Sequence, residues 1–309
     1  MAIQNFYYIV TSSRSFFIQM VFTLNAIYYV TQADLNALQL VLIGTIMEVS
    51  VLLFEMPTGL FADHYGRKKS LAIGTFVIGF AHILEGSTPE FWAIAVASAF
   101  WGIGWTFISG AEQAWIADEL DGKYLEETFL RGSQFSSFAR FVAILVSVSI
   151  AAIWSVQTAI LVAGVMLIIL AIWAIINLPE TKFVKVTREK GVSGVTHMMT
   201  TIRTGMSEIR GNKILISIAM VTLLWGLASE GFDRLYGAHF IADYDLSESE
   251  SVYWFGTFYA IAFLLNIVVL KFVEKHVEGR YANVLLLTNA VLVVTMIVFA
   301  WTGLFWLAV

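Results

Sequence analysis

Apolar residues occur along this chain in long blocks that short polar segments separate. Most blocks hold about 20 residues or more, the length of a helix that crosses the hydrocarbon core of a bilayer. The uncharged block at residues 141–179 is too long for one such helix, so we divide it near Trp154 to Gln157. The pattern predicts nine spans and the start of a tenth, at residues 12–31, 35–62, 69–87, 90–117, 133–154, 157–179, 213–235, 251–271, 281–301 and 304–309.

The composition excludes most soluble and catalytic classes of protein. Of the 309 residues, 59% are hydrophobic and 13% charged, whereas soluble domains average roughly 45–50% and about 25%. A chain this apolar needs the lipid bilayer as its surroundings. It has no cysteine, scattered histidines and no nucleophile or phosphate-loop motif, so we expect no metal site, no cofactor, no catalytic residue and no enzyme activity. The net charge of −5 gives no sign of nucleic-acid binding.

Basic residues fall on one side of the predicted topology. Lysines and arginines occupy the loops that follow the even-numbered spans, and the loops on the other side contain none. Because cytoplasmic loops are enriched in these residues, the N-terminus is predicted to be cytoplasmic. Arginines also lie within three predicted spans, at Arg14, Arg140 and Arg234. Arg14 is near one end of its span, so we expect its guanidinium to reach the membrane interface.

One basic linker divides the chain. Residues 181–212 separate a predicted six-helix bundle, residues 1–180, from a partial bundle, residues 213–309. Two interpretations of the linker stay open: a short amphipathic helix on the cytoplasmic surface, or a solvated connector. The helix is suggested by apolar residues at helical spacing, namely Val195, Met198, Met199, Ile202, Met206 and Ile209.

The second predicted span runs into a recognisable loop, Glu-Met-Pro-Thr-Gly-Leu-Phe-Ala-Asp-His-Tyr-Gly-Arg-Lys-Lys at residues 55–69. It resembles the G-x-L-A-D-x-x-G-R-K loop between helices two and three of the major facilitator superfamily, with Phe61 in place of the usual leucine. The resemblance implies an all-α, polytopic major facilitator fold and solute transport by alternating access. The matching residues are Gly59, Ala62, Asp63, Gly66, Arg67 and Lys68.

The residues of this loop have distinct expected roles. Gly59 is expected to let a neighbouring helix approach closely, and Gly66 to supply a turn conformation that other residues adopt at a cost. We expect Asp63 and Arg67 to form a cytoplasmic gate that breaks when the cavity opens inward.

Two further stretches resemble the bacterial drug-efflux branch of the superfamily, which includes tetracycline and macrolide exporters. They are residues 109–119 in span four and residues 228–234 in span seven. The resemblance implies that an acidic residue at the end of span four, Asp118 or Glu119, partners Arg67 in the gate. Against this branch, span five lacks the G-x-x-x-G-P-x-x-G-G stretch of many drug–proton antiporters.

A weak internal repeat supports the same plan. A shift of 213 residues places Gly279 and Arg280 on Gly66 and Arg67, and parallel six-helix repeats are the plan of the superfamily. The shift also places the last residue, Val309, early in the fourth span of a half. We therefore expect a six-helix N-terminal half, an incomplete C-terminal half, about nine to ten transmembrane helices in all, and a C-terminally truncated chain.

Ionisable side chains at membrane depth are candidates for coupling transport to protons. Glu48 lies near the middle of span two, and Glu55 follows at i+7 on the same face. A carboxyl group in apolar surroundings can exchange a proton near neutral pH. The alternative is a locked carboxylate, held by Arg140 or, for Glu55, bracing a Pro-Thr-Gly helix end. Arg140 itself is expected to pair with Glu48 or Glu55, or to bind an anionic substrate.

Two other sites complete the candidates. Glu112 lies two turns deeper than the end of span four and could face the cavity. Glu230 and Arg234 are spaced i,i+4 and can pair, with Asp233 beside them. We expect these three residues of span seven to form an outer gate or a helix-end network, with contact to the substrate as the alternative.

The leading functional prediction is proton-coupled efflux of a lipophilic, drug-like compound by a monomer in the plasma (inner) membrane of a bacterium. The alternatives are uptake or facilitated export of a metabolite, and a transport-dead scaffold or sensor. The expected partners are a small-molecule substrate, protons and lipid, and no nucleic acid. Aromatic side chains that could line the cavity are Trp101, Trp105, Phe107, Trp225 and Tyr259.

Overall fold

The computed structural model describes residues 3–183, 210–276 and 281–302, and these residues form helices and no strand. Helix α1 continues into a π-helical turn at Tyr28–Gln32 before α2 begins. The helices are α1 Ile3–Ile27, α2 Ala37–Tyr65, α3 Arg67–Ser87, α4 Phe91–Glu119, α5 Leu125–Ile153, α6 Val156–Asn177, α7 Lys213–Asp243, α8 Glu248–His276 and α9 Tyr281–Trp301.

Five of these helices, α2 to α6, are long and apolar enough to cross a membrane, judged over the described residues. Helix α9 carries a shorter apolar stretch, Leu286–Trp301. Large apolar side chains point away from the bundle, among them Leu52, Trp92 and Ile176. Such an apolar outer surface is stable only against lipid, so the chain is an integral membrane protein.

Glycines set the spacing of the N-terminal bundle. Helix α3 packs between α4 and α6. A Cβ atom at Gly74 would lie 2.5 Å from the carbonyl oxygen of Gly104 on α4, and one at Gly79 would lie 2.8 Å from that of Gly164 on α6. Small residues allow helix backbones to approach this closely, so α3 is held tightly on both sides.

The remaining helices surround this unit. Helix α1 packs on α5 and α6, and α2 packs on α4. Helix α7 contacts α2, and α8 contacts α5 and α1. At the end of the bundle that holds the π-helical turn, here called the far end, Leu24 and Tyr28 pack with Phe240 and Phe255 in an apolar cluster. The opposite end, which holds residues 59–68, is called the motif end.

Several predicted helix limits change. The break between spans five and six is confirmed: α5 ends at Ile153, and Ser155 caps α6 by accepting the Thr158 N–H at 3.0 Å. Helix α2 does not end at the Pro-Thr-Gly stretch but runs through Pro57 to Tyr65. The hydroxyl of Thr58 donates to the Phe54 carbonyl at 2.8 Å there, so Glu55 braces no helix end.

Helix α7 is longer than predicted because residues 236–243 pack into the far-end cluster instead of forming a loop. Of the linker, the structure describes residues 181–183 and 210–212. The predicted amphipathic helix lies outside the described residues. The start of a tenth span also lies outside them.

Candidate functional site

A cavity of about 590 Å³, here called the central cavity, is lined by residues of α1, α2, α3, α4, α7 and α8 and of the π-helical turn. It combines aromatic walls with ionisable groups from several helices. The aromatic lining residues are Phe22, Tyr29, Trp101, Trp105, Tyr236 and Tyr259. The ionisable ones are Glu48, His82, Glu85, Glu230, Asp233 and Arg234.

The α7 side of the cavity carries an ion pair. Arg234 Nε donates to Glu230 Oε1 at 2.7 Å, which confirms that these residues pair. Asp233 lines the same cavity. The expected helix-end network is wrong, because α7 continues nine residues beyond Arg234 to Asp243. These groups therefore line the central cavity rather than terminate a helix.

Glu48 reaches the cavity from α2, as its mid-span position predicted. Arg140, its expected partner, is not among the residues that line the cavity. Arg140 is exposed, and the ion pairs of the described residues do not include it. The prediction that Arg140 pairs with Glu48 or Glu55 is wrong because α5 packs on α1, α6 and α8, whereas α2 packs on α4, α3 and α7.

A second ion pair lies inside the bundle. Arg14 Nη2 is 2.5 Å from Glu112 Oε1, and the two side chains are 6% and 18% exposed. The expectation that Arg14 reaches the membrane interface is wrong, because α4 offers it a counter-charge within the protein. Glu112 is held by this pair.

Glu55 lines a different space from Glu48. It accepts a hydrogen bond from Ser109 Oγ at 2.7 Å and borders a cavity of about 180 Å³ between α2 and α4 at the motif end. Gly59 borders this cavity too. A Cβ atom at Gly59 would meet nothing within 4 Å, so the predicted close helix contact at Gly59 is not formed in this structure.

Arg67 joins α3 to the end of α4. Its guanidinium pairs with Asp118 and donates to the Ala114 carbonyl at 2.6 Å, while the Asp63 carboxylate lies 4.0 Å away. Asp118 rather than Glu119 is therefore the acidic partner of Arg67. The action of this group as a gate stays a prediction.

Two carboxylates at the motif end accept hydrogen bonds from backbone N–H groups, a role that the sequence did not predict. Glu180 Oε1 accepts the Lys68 N–H at 2.9 Å, at the N-terminus of α3, where a negative charge is stabilised. Glu119 accepts the Thr181 N–H at 2.6 Å and the Lys182 N–H at 2.9 Å. The chain that follows α6 is thereby fixed to α3 and α4.

Gly66 is the residue on which this anchor depends. Its φ of 111° confirms the predicted turn conformation, and a Cβ there would lie 2.7 Å from Glu180 Oε2. We expect Gly66→Ala to lower the free energy of unfolding by about 2 kcal/mol, from backbone strain and displacement of Glu180. Unfolding in detergent by denaturant titration measures it.

Gly122→Ala is the matched control, because Gly122 also has positive φ, 72°, but a Cβ there would meet nothing within 4 Å. Its cost is expected to be about 1 kcal/mol, from the backbone alone. Equal costs at the two positions would contradict the anchoring by Glu180.

Sequence comparison decides the family. A family profile described as Major Facilitator Superfamily matches residues 7–309. The chain belongs to the major facilitator superfamily. Members of this superfamily are transporters, so the chain is a membrane transport protein and not an enzyme.

Individual relatives agree with this assignment. The chain is 24% identical over 283 residues to the uncharacterised MFS-type transporter YxaM of Bacillus subtilis, covering 88% of this chain and 67% of YxaM. A mutant of the nucleoside transporter NupG has a similar fold, with a TM-score of 0.69 and 12% identity over 89% of this chain and 69% of NupG. The POT family transporter PepTSo also has a similar fold, with a TM-score of 0.57 and 11% identity over 89% of this chain and 68% of PepTSo.

The largest feature that the sequence did not indicate is a buried pair on α3. His82 and Glu85 are not among the site residues predicted from the sequence. In the structure both are buried, and both line the central cavity. Their spacing of three residues on one helix face was the available signal.

Proposed function

We propose that this superfamily member exports a lipophilic, drug-like compound in exchange for protons, by alternating access. The observation that carries the proposal is the central cavity, which places aromatic walls and carboxylates together between the helices of the two bundles. A volume of about 590 Å³ lies within the range of roughly 300–1,000 Å³ that is typical of small-molecule sites.

The aromatic wall suits a flat apolar compound. The rings of Trp101 and Trp105 stack with centroids 5.7 Å apart and an interplanar angle of 6°. Phe22 packs on Trp101 from α1 at 5.6 Å. Offset stacking of another ring on such a surface is favourable beyond the area it buries. Trp105 remains exposed, so its ring is open to a ligand.

The two ends of the bundle are the proposed gates. At the far end, α1 contacts the C-terminal helices through the apolar cluster and through Glu248 of α8, which accepts from Thr31 Oγ1 at 3.3 Å and Gln32 Nε2 at 3.2 Å. At the motif end, Arg67 and Asp118 form the ionic contact. Alternating access requires the contacts of the two ends to form in turn.

Glu48 is the proposed proton carrier on α2, because it faces the cavity and the described ion pairs do not include it. We expect Glu48→Gln to reduce proton-driven transport at least about tenfold while leaving ungated counterflow intact, since only the amide variant has lost the exchangeable proton. Transport of a tetracycline and of a macrolide is measured in proteoliposomes. A pH gradient across the membrane gives the proton-driven rate, and its absence gives the counterflow rate. Full coupling in the variant would contradict the assignment.

Glu126→Gln is the matched control, because Glu126 is exposed in the first turn of α5, away from the cavity. It should transport like the original protein. The same assay with a nucleoside tests the second candidate, transport of a metabolite. That candidate is supported by hydrogen-bonding groups in the cavity, such as the Tyr236 and Tyr259 hydroxyls 2.7 Å apart, and by the similar fold of a nucleoside transporter.

Nucleoside counterflow without flux of either antibiotic would replace the efflux proposal with the metabolite one. If none of the compounds is transported, a transport-dead scaffold or sensor becomes the better interpretation. The remaining parts of the proposal are a monomer in the bacterial plasma membrane and a cytoplasmic N-terminus. The one-sided distribution of basic loops supports the orientation of the N-terminus.

A further inference from the structure

The buried pair on α3 is placed where it can bind a ligand from the cavity. His82 is 1% exposed and Glu85 is 4% exposed. His82 Nδ1 lies 3.1 Å from Glu85 Oε2. Hydrogen bonds and pairing offset the cost of burying a carboxylate and an imidazole. Ionisable groups in a membrane-spanning helix are functional candidates, and neither group has a part in the mechanism described above.

The imidazole leaves one nitrogen available. His82 Nε2 is buried and has no hydrogen-bond partner within the described part of the chain. Because Nδ1 faces the carboxylate, the neutral ring carries its proton on Nδ1 and keeps the lone pair on Nε2. His82 also lines the central cavity. An unpartnered basic nitrogen on a residue that lines a cavity can bind a proton.

Two other ligand classes fit less well. A metal ion needs several donor side chains, and the described residues contain no group of three or more His, Cys, Asp or Glu side chains that could hold one. An anionic ligand would meet the carboxylate of Glu85. A proton needs only the single free nitrogen that the pair offers.

The charged and titratable groups around the pair come from three elements. Tyr29 OH, in the π-helical turn after α1, donates to Glu85 Oε1 at 2.6 Å, and Tyr28 OH donates to the Glu85 carbonyl at 2.6 Å. From the cavity, α2 presents Glu48, and α7 presents the remaining ionisable groups, Glu230, Asp233 and Arg234.

We propose that His82 and Glu85 form a proton-binding site of the cavity, and that the far end of α1 senses its occupancy. A proton from cavity water binds His82 Nε2, and the Nδ1 proton stays shared with Glu85 Oε2. The pair changes from a single negative charge to a neutral imidazolium–carboxylate pair. Release to the cavity reverses the step, and no other bond forms or breaks.

The contacts of the π-helical turn connect this site to the far-end gate. Tyr29 binds Glu85 on α3, and two and three residues later Thr31 and Gln32 bind Glu248 on α8. The new positive charge on His82 lies beside the Glu85 carboxylate and draws its negative charge toward Oε2, which weakens the hydrogen bond that Oε1 accepts from Tyr29. Single π-helical turns within helices frequently mark functional sites, and this one joins the two bundles. The inference rests on the proposed function only in that proton-coupled transport gives the site its use.

The test uses the proton itself as ligand. Full-length protein with isotopically labelled histidine is placed in lipid nanodiscs, and its imidazole NMR signals are followed between about pH 5 and 8. The signal of His82 is identified by its loss in His82→Gln. We expect this signal to change over this pH range as the ring takes up the proton, and to respond differently to pH in Glu85→Gln, which removes the charge partner.

His239 provides the control within the same spectra, because the carboxylate beside it is Asp243, 3.3 Å away on α7, and not Glu85. The His239 signal should respond to pH in the same way with and without Glu85→Gln. A His82 signal that stays constant over this range would overturn the proton site. A titrating His82 signal that Glu85→Gln leaves in place would overturn the pairing. Unchanged gel-filtration profiles show that the variants are folded.

The link to the far end has a separate readout. The chain has no cysteine, so spin labels can be attached to Ser87→Cys on α3 and Ser249→Cys on α8, both exposed positions. We expect the distance distribution between the labels to change over the pH range in which His82 titrates, and this change to be lost in His82→Gln. A distribution independent of pH would overturn the link.

Neither readout uses a transported compound. If drug efflux fails in proteoliposomes, the proton site can still be demonstrated. If the proton site fails, transport driven through Glu48 is unaffected by that result. The two proposals are therefore tested independently.

Discussion

Glu112→Ala is expected to lower the free energy of unfolding by about 3–5 kcal/mol, because it leaves the buried guanidinium of Arg14 without its counter-charge. The pair is closed at 2.5 Å, and Arg14 is almost fully enclosed. Its Nη1 atom already lacks a hydrogen-bond partner among the described residues. No other carboxylate contacts Arg14 in the described ion pairs, so nothing compensates for the loss.

Denaturant titration of the purified protein in detergent measures this effect. Glu127→Ala is the matched control, since Glu127 pairs with Arg131 at 2.7 Å on the exposed surface of α5. It should cost less than about 1 kcal/mol. The double replacement of Arg14 by Met and Glu112 by Leu is expected to recover most of the stability. An equal, small cost at Glu112 and Glu127 would show that the inner pair is solvated.

Gly74→Ala has the second largest expected effect, a loss of about 3 kcal/mol. The new methyl group would meet the backbone carbonyl of Gly104 at 2.5 Å, and the side chain of Ile108 at 2.7 Å. A carbonyl in a helix cannot rotate away as a side chain does, so α3 and α4 must separate, which costs packing along the whole contact.

Gly110→Ala on α4 is the control for this replacement, because a Cβ there would meet nothing within 4 Å. Alanine favours helix over glycine by about 1 kcal/mol, so this variant should be as stable as the original or slightly more so. Thermal unfolding in detergent compares the two directly. Similar melting temperatures for both variants would contradict the close crossing of α3 and α4.

The helices could be predicted from the sequence because apolar length along one segment is a local property. The break at Trp154, the turn at Gly66 and the pairing of Glu230 with Arg234 also depend on residues within a few positions of each other. The resemblance to the drug-efflux branch predicted Asp118 or Glu119 as the acidic partner of Arg67. The structure shows that Asp118 is this partner.

The errors concern contacts between helices that are distant in sequence. Arg14 pairs with Glu112 across 98 positions, and the spacing of residues along α1 contains no information about which helix lies opposite. Arg140 was given partners on α2, a helix that packs elsewhere. His82 and Glu85 were not predicted as site residues, because the groups that surround them come from the turn after α1 and from the cavity, which are distant from them in sequence.

The glycine crossings of α3 also constrain how the transporter can move. With the carbonyls of Gly104 and Gly164 against its two flanks, α3 has no room to slide or rotate, so α3, α4 and α6 travel as one solid block. Any rocking of the halves must then be absorbed by the segments attached to this block. The irregular five-residue turn between α1 and α2 lies outside this block, and we expect it to take up part of this motion, since π-helical turns often occur at functional sites.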